Sequence, residues 1–200
     1  MPNNSRLPYM IVCPFDISGK LPTFVSLTLN PCDNAENNLR IINNQPKNGV
    51  KKEFGVCVKQ ISFTKFAQTV RMIEWIHLLR ILGADKVHFA SRYLAPEVNK
   101  VINYLVEKDY IEVVTFLEPT GVSEKKSSWE GRALELNVIN DCFYRVRKLY
   151  KYVAIIDTDE IIMPAVENIK SWHGMIQSFY KMTKKVDAVL CHSVMYPDLG

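Results

Sequence analysis

The densest chemistry in the chain is Asp157-Thr158-Asp159-Glu160, three carboxylates in four residues. It lies between two apolar runs, Val153-Ala154-Ile155-Ile156 and Ile161-Ile162-Met163. Acids packed between buried segments need compensation, because two carboxylates about 5 Å apart repel by roughly 3 kcal/mol at an effective dielectric of 20. Either one is protonated or a cation sits between them. In extended backbone, residues i and i+2 point the same way, so Asp157 and Asp159 would present their oxygens together. Hard oxygens of this kind suit Mn²⁺ or Mg²⁺, which bridge phosphate oxygens and neutralise a departing diphosphate. The plainer reading is a polar turn between strand and helix, with Pro164 as the breaker. An Asp-x-Asp triplet alone is a weak signal, and its place at a strand end strengthens it. An EF-hand loop would need a third Asp and a Gly that are not here. An Asp-nucleophile phosphatase shares the triplet, but carries it on the first strand with a Lys and further acids downstream. Here it falls on about the fourth strand.

The elements that must position this triplet alternate in type. Short extended segments at 8–13 and 24–29 are bounded by Pro14, Pro22 and Pro31. A polar stretch at 33–52 with six asparagines reads as a surface loop, and so as a boundary. The division is therefore 1–52, an N-terminal β segment with a polar linker, and 53–200, a catalytic-type unit. From residue 54, strands expected at 54–59, 86–91, 111–117, 152–156 and 188–193 are separated by helices at 68–82, 96–107, 132–149 and 169–182. Gly83 suits the left-handed position that ends the first helix. A mobile loop is expected at 119–129. Strands joined by helices of this length make crossover units and a mostly parallel sheet with helices on both faces. In open parallel sheets, ligands collect at the carboxyl ends of the strands, where the triplet falls.

Composition excludes several classes. The 200 residues are 48% hydrophobic and 10% aromatic, enough for a sizeable core and unlike a disordered chain. Twenty-five basic against 21 acidic residues leave a net charge of +4, too mild and too evenly spread for a nucleic-acid binder. No run reaches the roughly 18 to 20 apolar residues of a spanning helix, and the first residues lack the apolar region of a signal peptide. Five cysteines, Cys13, Cys32, Cys57, Cys142 and Cys191, form no zinc spacing. Their number fits reduced thiols, or two disulfides and one spare thiol in a secretory compartment. Asn3-Asn4-Ser5 is a formal glycosylation sequon on a terminal stretch.

Taken together, these segments resemble glycosyltransferase family 92, formerly domain of unknown function 23. The likeness runs through Val12-Cys13-Pro14, Pro22 to Leu27, Cys57-Val58-Lys59, Glu74-Trp75-Ile76 and Leu82-Gly83-Ala84. It continues through Asn140 to Arg145 and the strand from Tyr152 to Glu160 ending at Pro164. The resemblance covers most of the chain in the right order. It implies a GT-A-like, Rossmann-like fold and a metal-dependent transferase with a UDP-sugar donor, UDP-galactose being the one suggested. It also implies a glycan or glycoprotein acceptor and a Golgi membrane protein acting on the lumenal side. Asp157 and Asp159 would hold Mn²⁺ or Mg²⁺, Asp157 also contacting the donor. Lys59 and Gln60, in the loop after the first sheet strand, would approach the base, and Arg132 and Asp141 would face the same crevice. Family members carry a membrane anchor and extend further after the metal strand. The chain is therefore expected to be a donor-binding half truncated at both ends, and the alternative function is a non-catalytic nucleotide-sugar-binding fragment.

The individual residues have plainer competitors. Arg132 could simply counter Glu130 or Glu135, and Asp141 could be an ordinary exposed helix acid. Cys142 reads as an apolar filler or a disulfide partner. His77 and His88, amid apolar neighbours, read as satisfied core histidines rather than ligands. His173 and His192 lie away from the triplet, and Trp75 reads as core.

Overall fold

A computed structural model of the protein describes residues 10–14, 22–63, 66–115, 128–183, 187–191 and 194. The N-terminal region holds one two-residue strand pair, β1 (Phe24–Val25) and β2 (Leu39–Arg40), joined antiparallel. Asn37 supports it by mimicking a strand: its amide oxygen accepts from the Leu27 N–H at 2.8 Å and its NH₂ donates to the Leu27 carbonyl at 2.6 Å. The asparagine-rich stretch is therefore not all linker, since it supplies one strand of a pair. The expected strand at 24–29 shrinks to two residues, and the described part of 8–13 forms none.

The main sheet follows from four apolar runs that cannot be satisfied alone. They form β3 (Lys52–Phe63), β4 (Lys86–Leu94), β5 (Ile111–Thr115) and β6 (Tyr150–Ile156), all parallel in the order β5-β4-β3-β6. The crossovers are α1 (Phe66–Leu82), α2 (Pro96–Glu107) and α3 (Ser128–Val146), with α4 (Trp172–Met182) after β6. The expected mostly parallel α/β sheet is present. The expected strand at 188–193 is not, since 188–191 carry no strand and 192–193 lie outside the described residues. The expected loop at 119–129 lies outside the described residues except for Ser128 and Trp129, which begin α3.

Period-two alternation along β3 sends Phe54, Val56 and Val58 to one face and Gly55 and Cys57 to the other. The first set meets Val87 and Phe89 of β4, Met72, Ile76 and Leu79 of α1, Val98, Ile102 and Leu105 of α2, and Trp172 of α4 in the main core. Each such fully buried aliphatic side chain contributes about 1.5–3 kcal/mol relative to exposure. The other face meets α3 in a smaller cluster of Cys57, Cys142, Val146 and Tyr150. There Cys57 and Cys142 form a disulfide, their Cα atoms 5.9 Å apart across 85 residues of sequence.

The ends of the elements are fixed locally. Gly83 takes φ 116°, a conformation that L side chains rarely adopt, and its N–H closes α1 on the Leu79 and Arg80 carbonyls. Two residues later the Asp85 carboxylate accepts from the backbone N–H groups of Glu53 and Phe54, both at 2.8 Å. This clip sets the start of β3 against the start of β4. Ser171 caps α4, its hydroxyl accepting from the Gly174 N–H at 3.2 Å. Among the described residues, no helix is long and apolar enough to cross a membrane.

Candidate functional site

The last β3–β6 partners are Val58 and Ile156, so Lys59 and Asp157 leave the pairing at the same level. On its other edge β3 carries a register irregularity between Val58 and Ile61: three steps of β3 match two of β4, from Phe89 to Ser91. Such a bulge bends a strand and re-aims its residues. Lys59 and Gln60 occupy it, inside β3 and not in a loop after it, which corrects the expected placement. The strand outlasts its expected end because β4 continues to pair with it as far as Leu94. The backbone of Lys59 and Gln60 is nevertheless beside the start of the acidic segment.

That segment is a turn, not an extended run. The Glu160 N–H donates to the Asp157 carbonyl at 3.1 Å, closing a four-residue turn with Thr158 and Asp159 at its tip. The alternation rule that placed both aspartates on one side therefore does not govern them. What the turn fixes is their backbone, at the first and third positions of one closed turn. The Glu160 carboxylate accepts from the Asp157 N–H at 2.9 Å, so the first and last residues of the turn are bonded twice. Asp157 is half-buried and Asp159 exposed.

Two buried indoles hold the chain where it leaves the turn. Trp75 of α1 donates its Nε1–H to the Glu160 carbonyl at 2.6 Å, and Trp172 of α4 donates to the Ile162 carbonyl at 2.8 Å. Alternate carbonyls of one short segment are thus satisfied from two different helices. Trp75 does belong to the core, as expected, and it has this second role as well.

The α3 residues fare differently. Arg132 and Asp141 are nine positions apart, which at about 100° per residue places them on opposite flanks of the helix. The Asp141 carboxylate receives the Arg145 guanidinium one turn along, with both oxygens 2.9 Å from Nη2, on the exposed surface. It is an i,i+4 helix pair. For Arg132, only the backbone lies within the described residues.

The donor set at the turn fits a particular kind of ion. Among the described residues, no group of three or more His, Cys, Asp or Glu side chains is placed to hold a metal. Two carboxylates on one exposed turn match Mg²⁺-like ions, which keep waters and take substrate phosphates as their remaining ligands.

The sequence pattern of glycosyltransferase family 92 matches residues 52–196, well over half of the chain. The chain belongs to glycosyltransferase family 92. No curated protein and no solved structure matches it. The family 92 match begins at the first residue of β3 and takes in the whole parallel sheet, the acidic turn and both indole anchors. This chain is therefore a glycosyltransferase with a GT-A-like arrangement, in which the aspartates sit at the carboxyl end of the strand paired with β3.

The first halves of β4, β5 and β6 in this family 92 sheet hold the other polar cluster. His88 of β4 is buried, its Nε2 3.0 Å from the Tyr150 hydroxyl of β6. Its Nδ1 is 3.0 Å from the Glu112 carboxylate of β5, near enough for a charge contact but out of line for a hydrogen bond. The Tyr150 ring reaches His88 by lying across Gly55, where an added Cβ would stand 2.5 Å from the ring. The His88 ring beside Glu112 holds that carboxyl below its ordinary value, and burial pushes the Tyr150 phenol up. His88 is thus buried in the core, as expected, with its Nε2 paired and its Nδ1 left without a hydrogen bond. His77 is not: it is exposed on α1, its Nδ1 2.8 Å from the Ile73 carbonyl of its own helix. His173 stands 2.6 Å from Glu53, while His192 lies outside the described residues. Sequence reading missed Tyr150, Gly55 and the Cys57–Cys142 pairing. A lone glycine inside an apolar strand was the one available signal.

Proposed function

We propose that the protein is a divalent-metal-dependent transferase that takes UDP-galactose as donor and a glycan or glycoprotein as acceptor. The observation that carries this reading is the Asp157–Glu160 turn at the carboxyl end of β6, closed on itself and held by Trp75. Asp157 and Asp159 would hold Mn²⁺ or Mg²⁺, and a bound ion of that kind neutralises the charge developing on a departing diphosphate. The chain's own part is to fix the two carboxylates against their mutual repulsion and to set them beside the bulge of Lys59 and Gln60. One oxygen of the Glu160 carboxylate is taken by the Asp157 N–H, which gives Glu160 a part in the turn itself. Asp141, already paired with Arg145, has no part in this reading, and Arg132 stays a candidate donor contact. The Cys57–Cys142 disulfide supports an oxidising compartment, which agrees with the lumenal side of the Golgi.

The test is hydrolysis of UDP-galactose by the full chain with Mn²⁺, in the parent and in Asp159→Ala. Loss of turnover in the variant, at unchanged melting temperature, is the expected result. Equal turnover in both would remove the aspartate pair from the reaction.

A further inference from the structure

We propose that Glu160 and Trp75 are positioning residues, which hold the Asp157–Asp159 turn in the shape that receives the cation. This rests on the metal reading given above. Neighbouring carboxylates on an exposed turn drive each other apart, so oxygens left to relax would have to be regathered when an ion arrives. Here the backbone that carries them is fixed in advance. Glu160 ties the start of the turn to its end through the Asp157 N–H, and it contributes acceptor geometry, not a third ligand. Trp75 then ties the end of the turn to the core, through the Glu160 carbonyl. The indole itself has little room to shift: it is 8% exposed, and its ring meets Phe89 of β4 edge-on at 6.2 Å. The position of the turn is thereby referred to α1 and β4 and does not depend on the turn's own stiffness. Partners that orient metal ligands in this way commonly matter to affinity almost as much as the ligands do.

Trp172 supplies an internal comparison. It donates the same kind of bond from the same depth, but to Ile162, two residues further from the turn. If holding the turn is what matters, the two tryptophans should differ in ion affinity and agree in stability.

The experiment is calorimetric titration of the full chain with Mn²⁺ alone and with Mn²⁺ plus UDP. The chains compared are the parent, Glu160→Ala, Glu160→Gln, Trp75→Phe, Trp172→Phe and Asp159→Ala. A net hydrogen bond converts to about three- to tenfold in affinity, so Glu160→Ala and Trp75→Phe should weaken binding by about that factor. Glu160→Gln keeps an oxygen for the Asp157 N–H and should stay within about twofold, as should Trp172→Phe. Hydrogen exchange at the Asp157 amide, read without metal, should quicken in Glu160→Ala and not in Glu160→Gln. If Gln weakens binding as much as Ala, the carboxylate acts by charge and the positioning role is overturned. Equal losses in Trp75→Phe and Trp172→Phe would overturn it likewise, and should Trp75→Phe not fold, the Glu160 pair decides alone. A parent that binds no Mn²⁺ with UDP, or an Asp159→Ala that binds as well as the parent, removes the metal reading itself.

Discussion

Two polar clusters of the same sheet use their residues in opposite ways. Near the amino ends of β4, β5 and β6, Glu112, His88 and Tyr150 come from three strands and meet across Gly55, beside a disulfide. At the carboxyl end, Asp157, Asp159 and Glu160 come from one turn, with Asp159 exposed and the support reaching them through backbone atoms. Buried polar side chains that face each other raise the cost of any alternative packing, because separating them leaves groups unpaired. In the acidic turn the support runs through the Asp157 N–H and carbonyl and the Glu160 carbonyl. The difference teaches where to look for chemistry in such a sheet.

Breaking each end should therefore move a different measurement. The largest effect is expected from removing the disulfide. Cys57→Ala with Cys142→Ala should cost roughly 2–4 kcal/mol in denaturant unfolding, because the bond closes a long loop. The parent unfolded in reductant should match that variant, and binding of UDP with Mn²⁺ to the folded fraction should be unchanged. Next comes Asp159→Ala, expected to reduce transfer by about a hundredfold, or about 2.7 kcal/mol, with the melting temperature unmoved. A loss of stability instead would place the carboxyl end in the same class as the amino end.

Gly55→Ala should cost about 1–3 kcal/mol, since its Cβ would meet the Tyr150 ring. Combining it with Tyr150→Leu should recover part of the loss, because the ring is the obstacle. A simple sum of the two single effects would show that Gly55 matters for another reason.

The smallest effect sharpens the comparison through pH. Glu112 is held below its ordinary value of 4.5 by His88, so its contribution is present above about that pH and is lost as the pH falls through the lower folded value. Glu112→Gln should therefore be less stable than the parent at neutral pH by a few tenths of a kcal/mol, the carboxylate being nearly half exposed. The gap should close as the pH falls below about 4.5. Exchange at the Asp157 amide should be untouched by this variant.

Much of the fold was legible because its strands and helices are long and their periods differ. α2 falls on its expected bounds, β6 begins two residues earlier than expected, and α1 begins two residues earlier as well. The misses have local causes. β3 overran its expected end because pairing with β4 carried it on, and the polar–apolar alternation of Gln60-Ile61-Ser62-Phe63 was the available signal. The β1–β2 pair hid in an asparagine-rich stretch because an amide side chain did the work of backbone. Of the candidate site, the Asp157-Thr158-Asp159 triplet was legible by type and placement. The reason its members share a turn was not, since it depends on Glu160 folding back and on an indole 85 positions away. Asp141 was legible as an exposed helix acid, and its Arg145 partner one turn along follows from the helix period.

What the sequence determined by itself was the alternation of apolar strands and helices, and an acidic triplet at the end of one of those strands. Both are set by residue types within a few positions of each other, so local chemistry suffices to read them. Only the tertiary structure decided that Cys57 meets Cys142, that Tyr150 needs Gly55, and that Trp75 anchors the turn. Each of these joins residues tens of positions apart, and their approach is fixed by how the sheet stacks its strands. No local pattern carries that distance.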